Sequence, residues 1–181
     1  MALTVEDGTG KNNSESYASA AFATTYHAGR ANAAWALADP TTVQEPALRR
    51  ATDFMIQTFR GRWKGRRVLV AQALDWPRVG VVLEDFGASP GRNGYGSYGL
   101  FQVSYQIVPD EVMRACCELA LRALTAALNP DIDPFVASES VGPVSVTYSP
   151  GQRRQVKIQS IEDLLAPFLE LADGNLRISR A

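Results

Sequence analysis

The sequence predicts a mainly α protein, a small helical bundle with minor β strands and one long Gly/Tyr-rich loop. Three observations predict it. Apolar residues recur at helical spacing in several stretches. Residues that start and stop helices bracket those stretches. Strand-like alternation is confined to a few short runs. With 181 residues, 46% hydrophobic and 20% charged, the chain suits one well-buried core, and a single domain over 1–181 is expected.

A short extended segment, Leu3 to Val5, leads into a Gly/Asn-rich turn from Gly8 to Asn13. A first helix is predicted from Ser14, as N-cap, to His27, with Tyr17, Ala21, Phe22 and Tyr26 along one side and Gly29 as its stop. A short helical piece around Trp35 closes at Asp39-Pro40. The next helix starts near Thr42, where Thr42 and Glu45 are spaced as a capping box and Pro46 fits the first turn. It carries Ala47, Ala51, Phe54, Met55, Thr58 and Phe59 to Gly61. A third strong helix is predicted from Pro109 to about Leu128, roughly 30 Å long. Its core stripe is Val112, Cys116, Leu119, Ala120, Ala123, Leu124 and Ala127, with Glu118 and Arg122 as an outer pair. The last helix is capped by Ser160 with Asp163, and Pro167 is expected to kink it or divide it in two. Strands are predicted at 68–70, 101–108 and 141–148. The Gly/Ser/Tyr-rich residues 87–99 read as a surface loop, and 174–181 as a C-terminal arm.

No apolar run approaches the roughly 20 residues needed to cross a bilayer, and the N-terminus has no signal-peptide pattern, so a cytoplasmic, membrane-free protein is expected. The two cysteines, Cys116 and Cys117, are adjacent and read as buried apolar residues. Gly94-Tyr-Gly96-Ser-Tyr-Gly99 spells the dinucleotide fingerprint. It lacks the preceding strand and following helix that would seat a pyrophosphate. His27 is the only histidine and reads as a helix C-terminal cap or packing residue. No catalytic group, metal site or cofactor is expected.

The net charge is −1 but unevenly placed. Arg60, Arg62, Lys64, Arg66 and Arg67 fall within eight residues, while Glu162, Asp163, Glu170 and Asp173 make 160–173 purely acidic. Three readings of the basic cluster stand open. It is a solvated turn with Trp63 buried, a phosphate-binding patch with Trp63 stacked on a base, or a face that meets acids of a neighbouring subunit.

One series of motifs runs along most of the chain. It comprises Val5-Glu-Asp-Gly-Thr-Gly10, Ala47-Leu-Arg-Arg-Ala-Thr-Asp53, Arg60-Gly-Arg-Trp-Lys-Gly-Arg66, Ala73-Leu-Asp-Trp-Pro-Arg-Val-Gly80, Ile107-Val-Pro-Asp-Glu-Val112, Glu118-Leu-Ala-Leu121 and Val141-Gly-Pro-Val-Ser-Val146. In these motifs the chain resembles tailed-phage proteins labelled DnaT-like single-stranded-DNA-binding proteins, and also phage head–tail connector (adaptor) proteins. The connector resemblance implies a virion protein at the head–tail junction, assembled in the host cytoplasm. It would form a ring, typically dodecameric, that joins the portal to the neck and tail and lines the DNA exit channel. Its implied partners are copies of itself, the portal protein, a stopper or tail-terminator protein, and genomic double-stranded DNA passing without sequence-specific contact. Interface candidates on that reading are Arg60, Arg62, Lys64, Arg66, Arg67, Trp76, Arg78, Glu162, Asp163, Leu176, Arg177, Ile178 and Arg180. For Trp76-Pro77-Arg78 a second reading stands equally open, in which Trp76 plugs the bundle and Pro77 fixes the turn. The other label implies a single-stranded-DNA-binding protein of a primosome or replication type. The slightly acidic pI near 5.9 and the bipolar charge favour the connector.

Overall fold

Residues 2–83, 101–130, 138–141, 144–147 and 157–170 are described in a computed structural model. Val5 bridges Ser16 in parallel, so the chain starts as a closed loop. At its centre is the buried Glu6. Its carboxylate accepts from the backbone N–H groups of Gly8, Gly10 and Lys11 and from the Ser14 hydroxyl. That bond is why Ser14 does not cap a helix as expected. The first helix, α1 (Ala20–Ala28), starts later, with Ser19 Oγ accepting from Phe22 N at 3.1 Å, and Gly29 closes it.

Helix α2 (Ala33–Ala36) carries the buried Trp35. A π-helical turn (Pro40–Gln44) and α3 (Glu45–Phe59) follow without a break. The expected Thr42/Glu45 capping box is replaced by Asp39. Its Oδ1 accepts from Thr41 N, Thr42 N and the Thr42 hydroxyl at 2.7–3.0 Å. A carboxylate at this positive end of the helix is a stronger acceptor than a hydroxyl.

Helix α3 buries Ala47, Leu48, Ala51, Phe54, Met55 and Phe59. It packs against α4 (Asp110–Ala123), which buries Val112, Ala115, Cys116, Leu119, Ala120 and Ala123. Helix α4 is shorter than predicted, about 21 Å. After Ala123, Thr125 donates its hydroxyl to Arg122 O and the chain turns, leaving Ala127 exposed. The Glu118/Arg122 pair does not form either. Glu118 accepts from the Tyr26 hydroxyl at 2.9 Å, and Arg122 reaches Ser160 Oγ. Tertiary partners outweigh a helix-surface pair worth only tenths of a kcal/mol.

The last helix, α5 (Gln159–Leu165), starts one residue before the predicted cap, and Pro167 sits in a 3₁₀ turn (Ala166–Phe168) that ends it. Among the described residues the strands are short antiparallel pairs. β1 (Arg66–Arg67) pairs with β2 (Arg78–Val79), β3 (Val82–Leu83) with β4 (Phe101–Gln102), and β5 (Ser138–Val141) with β6 (Val144–Thr147). The strand predicted at 68–70 therefore lies two residues earlier. Gly65 sets this, since its φ of 69° turns the chain and a Cβ there would strike the Val79 carbonyl. The predicted strand 101–108 ends after two residues. Beyond it the chain turns at Tyr105-Gln106 and enters α4 through Pro109, with no partner strand among the described residues.

The core is one cluster reaching from Tyr17 and Trp35 to Phe168 and Leu169. No helix among the described residues is long and apolar enough to cross a membrane. The loop 87–99, its Gly94–Gly99 motif, and the arm 174–181 with Leu176, Arg177, Ile178 and Arg180 lie outside the described residues.

Candidate nucleic-acid interface

The five basic residues that follow α3 are adjacent in sequence but separated in use. Arg62 lies flat against Glu162 of α5, with Nη1 and Nη2 donating to the two carboxylate oxygens at 2.7 and 2.6 Å. This bidentate pair raises the Arg62 pKa further. Arg60 donates Nε to the buried Asp75 at 2.9 Å. Lys64 is half-buried, its backbone N–H held by Phe168 O. Arg66 and Arg67 are exposed on β1, and Arg67 Nη1 makes one bond, to Gln72 O at 3.3 Å. Arg60 is exposed as well, at 54% of its side chain, but its Nε is taken by Asp75.

Trp63 and Trp76 face inward, 3% and 0% exposed. Their rings meet edge to face at 5.7 Å, and Trp76 meets Phe168 the same way. Arg78 is equally internal. It donates to the carbonyls of Lys64 (2.8 Å), Gly65 (2.7 Å), Asp75 (3.2 Å) and Trp63 (3.4 Å). Burial holds its pKa below the usual arginine range, against the opposing pull of Asp75. Trp76 thus takes the packing alternative, Arg78 is bonded within its own chain, and Trp63 offers no ring face to a base. Asp163 stays exposed and accepts from Gln159 at 2.8 Å.

Sequence reasoning missed two features near β1. Tyr105, read as part of a strand, is 52% exposed on the turn before α4. The Glu6 loop lies between that turn and the segment after β1. Gly8 backs onto the Gln106 carbonyl, where a Cβ would collide, and Gly10 backs onto Leu69. Lys11 O accepts from Ala73 N at 2.9 Å. The run Gly8-Thr-Gly10-Lys11 looks like an anion cradle, yet three of its N–H groups already point at Glu6. Among the described residues no group of three or more His, Cys, Asp or Glu side chains is placed to hold a metal.

The family described as "Putative DnaT-like ssDNA binding protein" matches the chain over residues 1–181. The chain belongs to this family. No curated protein and no solved structure compared with it gives a match. Membership of the DnaT-like family overturns the expectation of a head–tail connector, together with its ring, its portal, stopper and tail-terminator partners, and passing duplex DNA. Part of the charge argument behind that expectation also falls on physical grounds. The basic and acidic poles were to meet between subunits, but Arg62 and Glu162 neutralise each other inside one DnaT-like chain.

Proposed function

We propose that the protein binds single-stranded DNA. The observation that carries this reading is the family match over the whole chain. The exposed guanidinium groups of Arg66 and Arg67 support it, since affinity for nucleic acid is dominated by cations set against phosphates. A formal charge of −1 is compatible with such a role because binding depends on the local field, and β1 carries no acid.

The test is fluorescence anisotropy with a labelled oligothymidylate. Two phosphate contacts to a single strand give a slope of about −1.4 in log affinity against log salt, about sevenfold weaker binding between about 50 and about 200 mM salt. The expected outcome is measurable binding with a slope of that order or steeper. No binding at the lower salt concentration removes the reading.

A further inference from the structure

The position of the strand follows from what the fold leaves outside. Resting on the single-strand reading above, we propose that the DNA lies along a ridge from β1 across the Glu6 loop to the turn at 104–107. Arg66 and Arg67 hold phosphates, and Tyr105 stacks on a base.

A site that selects single strands needs an exposed ring, because in a duplex the base faces are hidden in the stack. Trp35, Trp63 and Trp76 are all buried. Tyr105 is the one large aromatic among the strongly exposed apolar residues described, and Ile107 beside it is also exposed. At the other end of the ridge, Leu69 and Val70 follow the arginines, and Val70 is 94% exposed. A duplex would satisfy the arginines and set these apolar groups against phosphates. A single strand offers both phosphates and unstacked bases.

Local contacts make the ridge continuous. Arg67 is bonded to Gln72 O, and the Gln72 and Leu69 side chains lie against Gly10. Gly8, two residues away, lies against Gln106, the neighbour of Tyr105. The exposed acid of this loop is Asp7, which Lys11 meets at 2.8 Å. Lys11, Arg66 and Arg67 against Glu6 and Asp7 leave the ridge with one net positive charge. Since Glu6 occupies the loop N–H groups, side chains rather than backbone must supply the phosphate contacts.

The two ends of the ridge make separable contributions, so affinity and salt slope are read together. The wild-type chain is titrated with an oligothymidylate of about twelve nucleotides, within the site sizes single-strand binders cover. Tyr105→Ala, Tyr105→Phe and the double variant Arg66→Ala/Arg67→Ala follow, each checked for wild-type circular dichroism. Tyr105→Ala is expected to weaken binding about 5- to about 140-fold with an unchanged salt slope. Tyr105→Phe, which keeps the ring, is expected to bind as the wild type does. The arginine pair is expected to flatten the slope by about 1.4. If the wild type binds with a steep slope but Tyr105→Ala binds equally well, the ridge is wrong and the single-strand reading survives. A duplex of the same sequence competing as well as the single strand overturns base stacking in the same way. A wild type that binds no oligonucleotide at low salt overturns both.

Discussion

His27 shows how a single side chain records its protonation state. It is buried at the end of α1, in ring contact with Tyr26 and Trp35. Its Nε2 lies 3.1 Å from Cys117 O, and its Nδ1 lies 3.0 Å from the Asn32 amide nitrogen. A carbonyl can only accept and an amide nitrogen only donates, so the ring carries its proton on Nε2. A second proton would face the Asn32 N–H group. Burial accordingly holds the His27 pKa below its ordinary 6.5, with Arg30 adding to the effect and Cys117 O and Glu118 opposing it. The unfolded chain takes up this proton near pH 6.5 and the folded chain only below that. Stability is therefore fully present above about pH 6.5 and is lost as pH falls toward the depressed folded value, at no more than about 1.4 kcal/mol per pH unit. Urea midpoints between about pH 7.5 and about pH 5.5 should fall for the wild type. They should stay level for His27→Gln, which keeps a donor and an acceptor but does not titrate. As the only histidine, His27 is the one side chain whose ordinary pKa falls in this window, and an equal fall in both proteins would refute the assignment. Its role as a packed helix-end residue was legible in the sequence, from its position before Gly29. The partner on Cys117, ninety residues away, was not, because no periodicity names the element a helix will meet.

At the level of elements, the centres were legible and the ends were not. The apolar stripe of α3 is buried and that of α4 is buried as far as Ala123, while Pro167 ends the last helix in a 3₁₀ turn rather than dividing it. Boundaries moved wherever a side chain found a better acceptor than the one adjacent in sequence, as Ser14 did in Glu6 and Thr42 in Asp39. The β1–β2 pair was the least legible, since two-residue strands carry no alternation. They are held by Arg78, whose guanidinium gathers four carbonyls from 63–65 and 75. Replacing Arg78 with Met keeps much of the stem and leaves those carbonyls without their donor. The expected loss is about 2 kcal/mol or more by chemical denaturation. Arg78→Lys should recover only part of it, because a point ammonium cannot span the four. A full recovery by Lys would mean that the charge, rather than the planar fork, is what the site requires. The candidate interface follows the same division. The exposed β1 arginines were visible as a basic run, whereas Tyr105 was hidden inside a false strand and Trp63 proved to be core.

Across the whole molecule the question is whether the ends of the core unfold together. Trp35 stacks near His27 at 4.8 Å between centroids, on the α1–α2 side. Trp63 meets Trp76, and Trp76 meets Phe168 beyond α5, and the chain is stitched there by Lys64 N to Phe168 O, Glu170 N to Arg62 O and the Arg62–Glu162 pair. These links join residues about a hundred positions apart, the kind of closure that no local pattern in the chain announces. They also bind the last helix to the cluster that contains Trp35. A single cooperative transition is therefore expected, with tryptophan fluorescence and far-ultraviolet helicity superimposing in urea. Phe168→Ala removes the ring that Trp76 meets edge-on and should lower stability by about 3–5 kcal/mol while the two probes still coincide. If instead the fluorescence of the variant shifts at lower urea than its helicity, α5 and its tryptophan cluster are a separate unit. The Arg62–Glu162 pair would then fasten an appendage instead of closing a single core.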